Sequence, residues 1–76
     1  MEIKDFIINV ANQFDDTDIS VFESNIKFRE LDEWSSLIAL AILNMIDKKY
    51  RVRLTPIEMR MMNTIQELFD LVQSKQ

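Results

Sequence analysis

The chain has 76 residues, 47% of them hydrophobic, and a formal net charge of −4 at pH 7. This length fits one domain, residues 1–76, and an acidic chain is poorly suited to binding nucleic acid, because phosphate contacts supply most of that affinity. The absence of glycine argues against hairpins and glycine-rich phosphate loops, and without cysteine or histidine a structural zinc site is disfavoured.

The N-terminal segment gives no sign of export or membrane insertion. It lacks the basic region and the long apolar stretch of a secretion signal. The longest apolar run, Leu37 to Leu43, is far shorter than the ~20 residues that span a bilayer. We therefore expect a cytoplasmic protein that does not contact a membrane, and the lack of cysteine fits a reducing compartment.

The first third of the chain predicts one helix followed by a long loop. Apolar residues at helical spacing place the first helix from Ile3 to Phe14. Residues 15–34 show no sustained period, and a loop of this length in a compact domain is often functional. We expect four apolar side chains to attach the loop to the core: Phe22, Ile26, Phe28 and Leu31.

Start signals predict three further helices. Serine is a favoured N-cap, so the second helix should begin at Ser35 or Ser36 and run to about Tyr50. A short third helix opens with Thr55, Pro56 and Glu58 and ends near Met62. The last helix is capped by Asn63 or Thr64, with Ile65, Leu68, Phe69 and Val72 as its buried stripe. The predicted fold is all-α: a small four-helix bundle with three main helices, a short third helix and a long first loop.

The second helix carries more apolar surface than a small bundle can cover. Between Leu37 and Ile46 its one polar residue is Asn44. At ~100° per residue, the predicted core face is Ala39, Ile42, Leu43, Ile46 and Tyr50. An exposed apolar strip beside Ser36 is left over, formed by Leu37, Ile38, Ala41 and Met45. Such strips often mark partner surfaces; alternatively, the long loop covers this one.

The two serines at the start of the second helix leave two interpretations open. A catalytic serine needs a base, but the chain has no histidine, and neither Lys27 nor Lys48 is obviously placed to serve. We therefore expect no enzyme activity. Ser36 either helps to cap the helix, or presents a hydroxyl that another enzyme modifies, since helix N-termini favour anions. Trp34 is expected to anchor the loop.

Several segments follow one another in a recognisable order from Phe28 to about Val72, over half of the chain: Phe28-Arg29-Glu30-Leu31, Trp34-Ser35-Ser36-Leu37, the apolar helix to Tyr50, Thr55-Pro56, and Thr64-Ile65-Gln66-Glu67-Leu68. In this ordered set the chain resembles the acyl carrier protein family, whose members bind phosphopantetheine. Most members of the family have aspartate before the modified serine, where this chain has Ser35, and the change could weaken recognition by some of the enzymes that modify the family.

The resemblance implies a carrier function. Ser36 would bear a 4′-phosphopantetheine arm, transferred from coenzyme A by a phosphopantetheinyl transferase. The arm would hold acyl or aminoacyl groups as thioesters, as in fatty acid or polyketide biosynthesis, with the acyl chain tucked between helices two and three. Acyl-loading and acyl-transferring enzymes would dock on Trp34, Ser35, Leu37, Ile38, Ala41 and Met45. We expect a monomer. The alternative is an unmodified small helical protein–protein interaction module, or a degenerate carrier that has lost modification, that uses the same strip.

Overall fold

The computed structural model describes residues 2–76, and all regular structure within this range is helical. The elements are α1 (Ile3–Ala11), two single 3₁₀ turns (Ile19–Val21 and Phe28–Glu30), α2 (Ser36–Tyr50), α3 (Pro56–Met61) and α4 (Ile65–Ser74). The predicted all-α fold with a short third helix and a long first loop is confirmed. None of the helices within residues 2–76 combines the length and the apolar character that crossing a bilayer requires.

Helix α1 ends at Ala11, three residues before the predicted end at Phe14. The backbone N–H of Gln13 donates to the carbonyl of Val10, and that of Phe14 to the carbonyl of Ala11, each at 3.0 Å. These i→i−3 bonds close a tight turn and end the α-helix. Phe14 nevertheless stays in the core, so the apolar period continues past the end of the helix.

The long first loop is attached to the core as predicted. Phe22 and Phe28 are buried, while Ile26 and Leu31 are partly buried against the core. A backbone hydrogen bond of 2.8 Å from Gln66 N–H to the carbonyl of Ser24 joins the loop to α4. The loop is therefore a packed layer of the molecule.

Side-chain caps define where the last three helices begin. Ser35 caps α2, and its hydroxyl accepts a hydrogen bond from the N–H of Ile38. Complete capping boxes, formed by Thr55 with Glu58 and by Thr64 with Glu67, open α3 and α4. These are the predicted starts, and Thr64 rather than Asn63 is the cap of α4. Helix α2 ends with Arg51 in the left-handed region, at φ 58°, a position that usually takes glycine.

The core draws on all four helices and on the connections between them. Phe6 of α1 packs against Phe69 of α4 and against Tyr50 of α2, each with ring centroids 5.5 Å apart. The predicted stripe of α4 is buried throughout. The buried apolar residues are Phe6, Val10, Ala11, Phe14, Phe22, Phe28, Ile42, Met45, Ile46, Val52, Leu54, Met59, Ile65, Leu68, Phe69 and Val72.

Candidate functional site

The two serines at the start of α2 have different structural roles. Ser35 has an extended backbone, and its Oγ accepts a hydrogen bond of 3.3 Å from the N–H of Ile38, so it is the N-cap. Ser36 is the first residue inside the helix, and it is exposed. Because the cap is supplied by Ser35, the Ser36 hydroxyl is not needed to complete the helix.

An apolar cleft with a volume of about 370 Å³ opens beside Ser36, between α2 and α3. Met59, which is almost fully buried, is one of the residues that line it. This volume falls within the range of small-molecule sites. The lining residues are Trp34, Ser36, Ala39, Leu40, Leu43, Pro56, Met59 and Arg60.

The charges around the cleft are compatible with an anion at Ser36. The first turn of α2 contains no acidic side chain, and the free N–H groups at a helix N-terminus favour negative charge. Arg60 adds a cation at the lining of the cleft. Within residues 2–76 the ion pairs join Arg53 to Asp47 and Lys75 to Glu58, so no carboxylate of this range forms an ion pair with Arg60.

The exposed apolar surface near Ser36 differs in part from the predicted strip. Leu37 is 79% exposed, as expected, whereas Ile38 and Ala41 are half-buried. Met45 is only 5% exposed, so its predicted place on an exposed strip is wrong. The large exposed side chains of α2 and α3 are Leu37, Leu40, Ile57 and Met61, and we call this set the apolar rim, since Leu40 lines the cleft and the others are next to lining residues in the chain.

The buried face of α2 explains the error. Its buried residues are Ile42, Met45 and Ile46, so the buried face is turned about 60° from the predicted one on a helical wheel. The predicted core residues Ala39 and Leu43 are only half-buried, because the cleft leaves that flank open. The spacing of Ser36, Ala39, Leu40 and Leu43 is itself a helical stripe, and it was the signal available in the sequence for the cleft.

Trp34 is an anchor, as expected. Its ring lies edge-on against Phe28 with centroids 5.5 Å apart, and it packs beside Phe14 at 6.5 Å. Its backbone N–H donates to the carbonyl of Leu31 at 3.0 Å. The same half-buried ring lines the cleft, so it joins the long loop to the wall next to Ser36.

A carboxylate that the sequence did not single out holds the two ends of the long loop together. Glu33 accepts hydrogen bonds from the backbone N–H groups of Asp15, Asp16 and Thr17, at 2.6 to 3.1 Å. The Thr17 hydroxyl donates a further bond of 2.6 Å. We call this group the Glu33 clasp. The Thr17 hydroxyl holds the pKa of Glu33 below its ordinary value, and the backbone N–H groups act in the same direction.

Nothing in the local sequence pattern predicted the clasp. Its partners are 16 to 18 residues from Glu33 in the chain, and in the sequence Glu33 is only one of several acidic residues.

In the part of the chain that the structure describes, no three acidic side chains come together as metal ligands would. Comparison of the chain with models of known protein families, with curated proteins and with solved structures gives no match.

Proposed function

We propose that this chain is a discrete acyl carrier protein, a single carrier domain that acts in the cytoplasm and is not itself an enzyme. In this proposal Ser36 bears a 4′-phosphopantetheine arm, and the protein presents thioester-bound acyl or aminoacyl groups to partner enzymes. One observation carries the proposal beyond the sequence resemblance: Ser36 is exposed beside an apolar cleft, while the neighbouring Ser35 does the capping.

The residues around Ser36 fit the proposed group. A phosphodiester on Ser36 Oγ would meet the positive end of α2 and the nearby cation of Arg60. An acyl chain would find apolar walls in Ala39, Leu40 and Leu43. The thiol at the end of the arm supplies the sulfur for thioesters, and the chain itself contains no cysteine.

Attachment of the arm is a substitution at phosphorus. Ser36 Oγ forms a bond to the phosphorus of coenzyme A that carries the pantetheine chain, and the bond from this phosphorus to the bridging oxygen breaks. Adenosine 3′,5′-bisphosphate leaves. The serine proton passes to a base of the transferase, because the carrier has no histidine to accept it.

The apolar rim suggests how partner enzymes would dock. Leu37 and Leu40 expose 79% and 55% of their surface next to Ser36. With Trp34, Ser35, Ile38 and Ala41 they would form a contact with few charges, whose affinity is expected to depend weakly on salt. Met45 is withdrawn from the proposed docking set because it is buried.

The direct test is intact mass after incubation with coenzyme A and several broad-specificity phosphopantetheinyl transferases. We expect the wild type and Ser35→Ala to gain one phosphopantetheine, and Ser36→Ala to gain none. Ser35→Ala is the matched control, since it removes the cap, at about 1 kcal/mol, and leaves the acceptor hydroxyl. Circular dichroism checks that both variants are folded. Absence of any addition to the wild type with every transferase contradicts the proposal.

The same apolar rim favours one second candidate, an unmodified helical module that binds a partner protein. This candidate predicts no mass addition with any transferase. It also predicts that Ser36→Ala leaves partner binding unchanged, whereas Leu37→Glu abolishes it. In a carrier, by contrast, Ser36→Ala removes the cargo and with it all transfer to partner enzymes.

A further inference from the structure

The starting point is the span of the Glu33 clasp. One carboxylate accepts hydrogen bonds from three successive backbone N–H groups and from a hydroxyl at the beginning of the long loop. Glu33 itself lies at the end of that loop, three residues before Ser36. Successive N–H groups form a concave site for an anion, and bonds to an ionised acceptor are stronger than neutral ones. The clasp therefore fixes Glu33 relative to residues 15–17.

No free segment separates the clasp from Ser36. Trp34 is held by its ring contacts with Phe14 and Phe28. Ser35 is extended, and its side chain is bonded to the first turn of α2. Each residue between Glu33 and Ser36 thus has a contact of its own, so a displacement of Glu33 is passed along to the Ser36 hydroxyl.

The beginning of α2 has little else to hold it. Ser36 and Leu37 are exposed, Ile38 is half-buried, and the first fully buried residue of the helix is Ile42. A helix end without buried side chains frays easily. The position of the first turn of α2 therefore depends on the segment that precedes it.

We propose that Glu33 is a positioning residue for the modification of Ser36: by closing the long loop, it holds the Trp34–Ser36 segment where the hydroxyl meets the transferase in reactive geometry. This inference rests on the proposed carrier function and names a residue that acts in it without touching the reacting atoms. A carboxylate is required, because the amide of glutamine offers one acceptor oxygen and turns donor hydrogens toward N–H groups.

The test compares Glu33→Gln with Glu30→Gln as substrates of one phosphopantetheinyl transferase. Both changes remove one negative charge, but the Glu33 carboxylate accepts the hydrogen bonds of the clasp, whereas within residues 2–76 the Glu30 carboxylate makes no hydrogen bond and no ion pair. Reactions are run well below the unfolding temperature of each variant and followed by intact mass. We expect kcat to fall about 10- to 100-fold for Glu33→Gln, as for a misplaced reacting group, with an unchanged KM for the carrier. Glu30→Gln should match the wild type.

A second, milder variant separates loss of the clasp from loss of folding. Thr17→Val removes only the hydroxyl donor of the clasp and should give an intermediate kcat. Amide hydrogen exchange at residues 34–38 should quicken in the same order, and this readout does not involve the transferase. A purely structural role would lower the melting temperature of Glu33→Gln and leave kcat equal to that of Glu30→Gln.

The outcomes separate the two proposals. Modification of the wild type together with equal kcat for Glu33→Gln and Glu30→Gln overturns the positioning role and leaves the carrier function standing. Failure of the wild type to accept the group from any transferase overturns both. A selective loss of kcat in Glu33→Gln, graded through Thr17→Val, supports both.

Discussion

At the scale of single residues, neighbours in the chain have separate tasks. Ser35 and Ser36 have identical side chains and both are exposed, yet Ser35 caps the helix and Ser36 takes no part in the cap. Glu33, three residues before Ser36, binds backbone donors at the far end of the loop. The segment from Glu33 to Ser36 therefore combines a closure, an anchor, a cap and a candidate acceptor in consecutive positions.

Glu33 should make stability depend on pH in a specific direction. Its folded-state pKa lies below the ordinary value of 4.5, first because the Thr17 hydroxyl donates to the carboxylate; desolvation opposes this shift, and the backbone N–H groups of Asp15, Asp16 and Thr17 add to it. Its contribution is therefore complete above about pH 4.5 and is lost as the pH falls through the folded-state pKa. We expect wild type and Glu33→Gln to differ in melting temperature near neutral pH and to converge in acid.

Thermal unfolding at a series of pH values measures this difference. The comparison with Glu33→Gln is needed because the pKa values of Asp18 and Glu58 are also lowered by hydrogen bonds, and these groups contribute with the same sign. A gap between the two proteins that is as wide in acid as at neutral pH would show that the charge of Glu33 is not what stabilises the loop.

Replacing Arg51 should increase the stability of the protein. It ends α2 in the left-handed region, at φ 58° and ψ 37°, where a side chain costs roughly 1–2 kcal/mol. Glycine removes that strain but loses more chain entropy on folding, so Arg51→Gly should stabilise the protein by about 0.5–1 kcal/mol. Urea unfolding measures the change.

The matched control for this variant is Lys48→Gly, three residues earlier and inside α2. Its backbone is helical, so the same substitution should destabilise the protein by about 1 kcal/mol. If both glycines lowered the free energy of unfolding equally, the left-handed backbone at residue 51 would not be a source of strain.

At the scale of elements, the helix starts were predictable and the buried face of α2 was not. Caps are local signals, so Thr55 with Glu58 and Thr64 with Glu67 could be recognised in the sequence. The end of α1 was misplaced because Phe14 continues the apolar period through a turn. In α2 nearly every residue from 37 to 46 is apolar, and periodicity then cannot say which flank faces the core.

Substitutions in α2 test the corrected face. Met45 is 5% exposed and Leu37 is 79% exposed, although the sequence assigned both to one exposed strip. Met45→Ala should lower the free energy of unfolding by about 2–4 kcal/mol, and Leu37→Ala should change it by less than about 0.5 kcal/mol. Urea unfolding curves give both values. Equal changes in the free energy of unfolding for the two variants would contradict the buried position of Met45.

At the scale of the whole molecule, the long loop contributes side chains to the hydrophobic core. Phe22 and Phe28 supply core volume between helices, and their hydrophobic character made this predictable. The clasp was not predictable, since contacts over 16 to 18 residues leave no periodic trace in the sequence. The family resemblance alone suggested a space between α2 and α3; the residues that line the cleft were not predicted, because the cleft arises from how the two helices pack against each other.

The whole molecule is expected to be a monomer. Stable interfaces bury upward of about 1,000 Å² in total, and the apolar rim offers four separate side chains on two helices. The net charge of −4 adds repulsion between copies. Sedimentation equilibrium should give a mass near 9.1 kDa at all concentrations. The rim would instead be a self-association surface if the mass of the wild type doubled as the concentration increased while the Leu37→Glu variant kept the monomer mass.

Helix α3, which forms one wall of the cleft, is held to the rest of the molecule by few contacts. This helix has six residues, and Met59 is its one buried side chain; the Lys75–Glu58 ion pair holds it from outside. A thioether on three rotatable bonds changes shape at little energetic expense. We therefore expect α3 to shift more readily than the longer helices, so that this wall of the cleft could adjust to ligands of different width.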